Sequence, residues 1–137
     1  MTRSWTTYSG IVFIAVLGAG WFALLGESGY QAPTGATALI VPELTSEQEA
    51  GRVLFDANCA TCHGPNASGS DQGPPLVHRI YEPSHHGDMA FLLAARQGVR
   101  AHHWRFGNMP AVKGVNDGDV QRITAYVRAL QRANGIE

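Results

Sequence analysis

The sequence holds a single lysine, Lys113, and only two cysteines, Cys59 and Cys62. One lysine excludes a lysine-rich docking face. Charge is nearly balanced, 10 Lys and Arg against 11 Asp and Glu, so there is no basic footprint that would suit nucleic acid. A zinc site built on two cysteine pairs is excluded, because only one pair exists. A disulfide between Cys59 and Cys62 would close a very small loop and stabilise little. No convincing alternation of apolar and polar residues marks a strand, so the βαβ setting of a thioredoxin-like Cys-x-x-Cys pair is missing. Charged side chains are absent altogether from Ser4 to Gly26.

That uncharged stretch is a unit of its own. From Ile11 to Leu25 it contains only apolar residues and glycine. The wider run is long enough for a transmembrane helix, which needs about 20 residues. Arg3 before it and Glu27 after it favour an N-terminus in the cytoplasm and translocation of the rest. Trp5, Tyr8, Trp21 and Tyr30 lie near its ends, where amphipathic rings suit the membrane interface. A cleaved signal peptide is the competing reading. It needs small residues shortly after the apolar core; Gly26 to Tyr30 offer a poor site, and Ala36 and Ala38 lie far downstream. The expected organisation is a membrane anchor over residues 1–26, a Gly- and Pro-containing linker over 27–44, and a folded domain over 45–137.

The chemistry is announced by Cys59-Ala60-Thr61-Cys62-His63. A Cys-x-x-Cys-His run is the attachment signature of a c-type haem. Two intervening residues space the thiols for addition to the two vinyl groups. The histidine is then carried to one face of the ring, where its imidazole binds iron. Thioether attachment in bacteria takes place outside the cytoplasm, in agreement with translocation of the domain.

The pattern around this motif predicts an all-α domain. Thr45 and Ser46 are followed by Gln48 and Glu49, a capping-box pattern. Ala50, Val53, Leu54 and Ala57 repeat at helical spacing and lead into the motif. A second helix is expected from Asp88 to Gln97, with Met89, Leu92 and Leu93 on one face and Gly98 as its stop. The last helix starts at an Asn116 cap, carries Val120, Ile123, Val127 and Leu130 as an apolar stripe, and ends at Asn134-Gly135. Gly64 to Gly73 reads as loop. A protein-only core would be marginal at this size, so a buried haem is expected to complete it.

From Thr45 to Gly135 the chain resembles a class I c-type cytochrome of the membrane-anchored bacterial type. The resemblance rests on the helix leading into Cys59–His63, on Gly73-Pro74-Pro75-Leu76, on Asn108-Met109-Pro110, and on the last helix with Ala125-Tyr126. Gly51, Phe55 and Tyr126 match the positions where the family's first and last helices cross. The implied fold is three to four helices around one covalently bound haem c. The implied ligands are His63 and Met109, with the Pro74 carbonyl accepting from His63 Nδ1, Leu76 packing on the haem edge, and Trp104 or Arg105 near a propionate. Arg79 is an equal candidate for the propionates.

Alternatives stand beside several of these roles. Of the methionines Met1, Met89 and Met109, Met89 is expected to pack in the core; Met109 as plain packing is the alternative to ligation. His78, His85, His86, His102 and His103 cluster in the middle of the domain. One of them could replace Met109 on iron, or some could hold copper or zinc, but surface or hydrogen-bonding roles are favoured. Leu76 and Trp104 also suit the core, Pro74 an ordinary turn.

The expected function is one-electron transfer between respiratory partners, without bond-making chemistry or a small-molecule substrate. A quinol-oxidising complex as donor and a terminal oxidase as acceptor follow from the resemblance alone. The alternatives are a module held permanently in an oxidase or dehydrogenase complex, and a metal-handling or sensing protein that uses the histidines.

Overall fold

The computed structural model describes residues 38–137, which form one compact unit beginning at Ala38. The expected anchor over 1–26, and the linker as far as residue 37, lie outside the described residues. Among the described residues, no helix is long and apolar enough to cross a membrane.

The unit is helical. Helix α1 spans Ser46–Asn58, the short α2 spans Ala60–His63, α3 spans Asp88–Gln97 and α4 spans Asp117–Ala133; two 3-10 turns, Pro65–Ala67 and Arg79–Tyr81, lie between α2 and α3. Among the described residues the only β pairing is an isolated bridge between Val99 and Met109.

Local chemistry sets the helix ends. The Thr45 hydroxyl accepts from Gln48 N–H at 3.3 Å, and the Gln48 side chain accepts from Thr45 N–H at 2.9 Å. Glu47 and Glu49 complement the positive end of the α1 dipole. Asn116 and Asp119 make the same reciprocal box at the start of α4, at 3.0 and 3.1 Å. At the far end of α4, Asn134 donates to the Leu130 carbonyl at 2.7 Å. The same amide exchanges two bonds with the Ile40 backbone, at 2.8 and 2.9 Å. Leu39 and Leu44 pack against the core beside it, so residues 38–44 belong to the folded body rather than to a free linker.

Helices α1 and α4 cross at Gly51. A Cβ at Gly51 would lie 2.0 Å from the Arg122 carbonyl oxygen, so only glycine lets the backbones approach this closely. Above the crossing, the Phe55 and Tyr126 rings pack with centroids 5.6 Å apart at an interplanar angle of 59°. The core comprises Phe55, Ala67, Leu76, Ile123, Tyr126, Val127 and Leu130. The expected α4 stripe of Val120, Ile123, Val127 and Leu130 is buried throughout.

Two helix-face expectations are corrected. The apolar repeat of α1 is not its buried face: Ala50, Val53 and Ala57 are exposed and Leu54 is half-buried, whereas Gly51 and Phe55 are buried. Met89 is 62% exposed rather than packed. Helix α3 fully buries none of its residues, and Met89 sits at its first turn, away from the face that lines the cavity described below.

Candidate haem-binding site

Helix α1 delivers Cys59 and α2 delivers His63. Cys59 ends α1 by donating its N–H to the Phe55 carbonyl at 2.8 Å, and its own carbonyl accepts from His63 N–H at 2.9 Å. The motif is thus one helical turn that begins where α1 stops. Gly64 ends it at φ +72°, and Gly69 N–H returns to the His63 carbonyl at 2.7 Å. Gly73 lies against the same turn: a Cβ there would meet the Cys62 carbonyl oxygen at 2.7 Å. That close approach brings the next residue, Pro74, to His63.

His63 is only 9% exposed. Its Nδ1 lies 2.9 Å from the Pro74 carbonyl oxygen. A carbonyl can only accept, so Nδ1 carries the proton and Nε2 is left as a free donor pair for a metal. Burial lowers the His63 pKa, and the Pro74 bond opposes that shift in part. The neutral, ligating imidazole is therefore the form that the fold favours. Burial, with a smaller contribution from Cys62, pushes the Cys59 thiol up to about 11. A thiol so hard to ionise is unlike the activated thiolate of a redox pair.

His63 opens onto a cavity of about 360 Å³. Cys59, Pro74, Leu76, Trp104 and Met109 line it as well. Helix α3 contributes Ala90, Phe91, Leu93 and Ala94 among its lining residues. Cys62 is exposed and is not among the lining residues, and neither are Arg79 and Arg105. Met109 is fixed through its backbone, which exchanges two 2.9 Å bonds with Val99. Gly98, at φ +76°, makes room for this pairing; a Cβ there would lie 2.5 Å from the Met109 carbonyl. The Asn108 side chain accepts from Ala101 N–H at 2.9 Å and closes the loop.

The cavity fits a haem. Its walls are mostly apolar, as a porphyrin requires, and His63 and Met109 are both among its lining residues. Trp104 Nε1 is buried there beside the Tyr81 hydroxyl and makes no well-formed hydrogen bond among the described residues. A buried indole donor without a partner is costly, and an acidic group on the cavity's occupant would satisfy it.

Sequence reasoning did not find the residue that holds the cavity's far wall. Arg128, 6% exposed, donates to Asp88 at 2.8 Å, to the Tyr81 carbonyl at 2.7 Å, to Gln131 at 2.6 Å and to the His86 carbonyl. Its guanidinium also stacks 4.9 Å from the Phe91 ring centroid. It ties α4 to the loop and helix that carry Tyr81, His86 and Phe91, all of which line the cavity. The sequence signal was weak: a charge directly after Val127 of the apolar stripe.

Residues 48–131 match the family model described as Cytochrome c. The chain belongs to the cytochrome c family. It is 37% identical over 89 residues to the cbb3-type cytochrome c oxidase subunit CcoP of Azospirillum brasilense, a match covering 60% of this chain and 28% of that protein. It is 32% identical over 105 residues to lupanine 17-hydroxylase [cytochrome c] of a Pseudomonas species, covering 76% of this chain and 12% of that protein. Cytochrome c-554(547) of Halothiobacillus neapolitanus is 29% identical over 90 residues, covering 60% of this chain and 94% of that protein. The chain thus spans well under a third of the first two relatives. No solved structure matches it. As a class I monohaem cytochrome c, the protein carries one covalently attached haem c and transfers electrons.

Proposed function

We propose that this cytochrome is a membrane-tethered carrier on the periplasmic side of a bacterial cytoplasmic membrane, with a closed His63/Met109 haem centre. The observation that carries the proposal is the placement of His63 and Met109 on one apolar cavity, with His63 Nδ1 already committed to Pro74. Bound there, the haem supplies one-electron chemistry between Fe(II) and Fe(III). Cys59 and Cys62 attach it. His63 Nε2 and Met109 Sδ would both hold its iron and would leave no position for a substrate. The Pro74 carbonyl orients the imidazole and raises its basicity. Leu76 keeps water from the ring edge, and Trp104 Nε1 donates to a propionate. The segment over 1–26, uncharged from Ser4 to Gly26, is the tether. The donor is a quinol-oxidising complex and the acceptor a terminal oxidase.

Carbon monoxide tests the closed centre. The reduced protein should show no spectral change under the gas, whereas a carbonyl complex would mean an open sixth position and contradict the assignment.

A second reading is favoured by the likeness to the oxidase subunit CcoP: the domain is a fixed module of an oxidase or dehydrogenase. Solubilised membranes distinguish the two. A carrier elutes alone at high salt; a module co-purifies with its complex whatever the salt.

A further inference from the structure

Two loops bring four histidines together beside the haem cavity. The His85–His86, His85–His103, His86–His103 and His102–His103 ring centroids lie 4.5, 5.1, 5.3 and 4.3 Å apart. Each of His85, His86 and His103 offers one ring nitrogen within 4.8 Å of those of the other two. His85 and His103 are exposed and His86 is half-buried, so the cluster is open to solvent.

His86 is set up as a ligand rather than as packing. Its Nδ1 lies 2.6 Å from the Ile80 carbonyl, which fixes the tautomer and leaves Nε2 free. Its backbone carbonyl is held in turn by Arg128. His102 is oriented in the same way by the Arg100 carbonyl at 2.8 Å. Desolvation first, and then the three neighbouring imidazoles, lower the His103 pKa. Crowded imidazoles with free ring nitrogens can share one cation.

We propose that His85, His86 and His103 form a binding site for one divalent transition cation of the imidazole-preferring class, Zn²⁺ or Cu²⁺, at the edge of the haem cavity. A Zn–N bond of about 2.0–2.1 Å places tetrahedral ligands roughly 3.3 Å apart, so modest side-chain rotation closes the observed spacing. Three protein nitrogens leave a fourth position for water or for His102. Because His86 and His103 also line the cavity, the bound charge sits beside the redox centre and favours the reduced iron.

The test is calorimetric titration of the metal-stripped holoprotein with Zn²⁺ at neutral pH. The expected result is one saturable equivalent, an affinity at least tenfold weaker in His85→Ala/His103→Ala, and no such loss in His78→Ala. The haem spectrum should be the same in all three proteins, which also shows that the variants are folded. The midpoint potential should rise on Zn²⁺ saturation in the wild type and not in the double variant. Absence of saturable binding, binding indifferent to the double substitution, or a potential unmoved by saturation would each overturn the proposal. So would a haem spectrum altered in the double variant, which would put a histidine on iron.

Discussion

At the scale of single residues, Met109 and Met89 show what a sequence can and cannot assign. Met109 sits in an Asn-Met-Pro loop, and its backbone pairing with Val99 fixes it on the cavity wall. Cys59 to His63 were legible for a similar reason: spacing along one turn determines what those side chains can reach. Met89 was misread because periodicity gives a face without naming what the face meets. On α3 the cavity is lined by Ala90, Phe91, Leu93, Ala94, Ala95 and Gln97, whereas Met89 borders a shallow groove shared with Val120 and Thr124 of α4 and stays 62% exposed. Met89→Ala should therefore change stability by no more than about 0.5 kcal/mol in denaturant unfolding. The 2–5 kcal/mol typical of a packed methionine would show that the residue is buried in solution. The resemblance pointed Trp104 toward a propionate; that its indole N–H makes no well-formed hydrogen bond emerges only once the surrounding chain is in place.

At the scale of elements, the helix ends were readable because the caps are local. Thr45 with Gln48 and Asn116 with Asp119 form their boxes within one turn. The crossing of α1 and α4 was visible only through the family's glycine and aromatics, and its basis is the 2.0 Å clearance at Gly51. Overpacking commonly costs about 1–3 kcal/mol. Here the obstacle is backbone that cannot rotate away, so Gly51→Ala should reach or exceed the upper end of that range, read as a lowered denaturation midpoint. Arg128 belongs to this scale as well, since it binds α4 to the loop before α3. Arg128→Ala strips the His86 carbonyl and the Gln131 Oε1 of their partner and leaves the Tyr81 carbonyl only its Gln131 bond, and should cost on the order of 3 kcal/mol. Because Asp88 is well exposed, Asp88→Ala should cost no more than about 1 kcal/mol. Equal losses from the two substitutions would show that the ion pair, rather than the carbonyl bonds, holds the wall. Residues 38–44 were read as linker because they have no periodicity; their anchor is Asn134, far away in sequence.

At the scale of the whole molecule, the protein core is one small cluster on the α1–α4 crossing, and α3 is separated from much of it by the cavity. A domain of this size buries only a modest share of its surface without its cofactor. The haem-free chain should therefore lose much of its helical circular dichroism, beginning with α3, and native-like helicity without haem would contradict a shared core. Class and topology were legible because the motif, the loop methionine and the last helix occur in one order. The α3 side of the cavity was not, because its positions face a cofactor rather than another part of the chain.

The central claim is that His63 and Met109 close a single haem centre. Its most direct test is the visible spectrum of the oxidised protein beside that of Met109→Ala. The weak red-region absorption of a methionine–iron(III) bond should be present in the first and gone in the second. A band that survives the substitution, or is missing from the unaltered protein, would contradict the account.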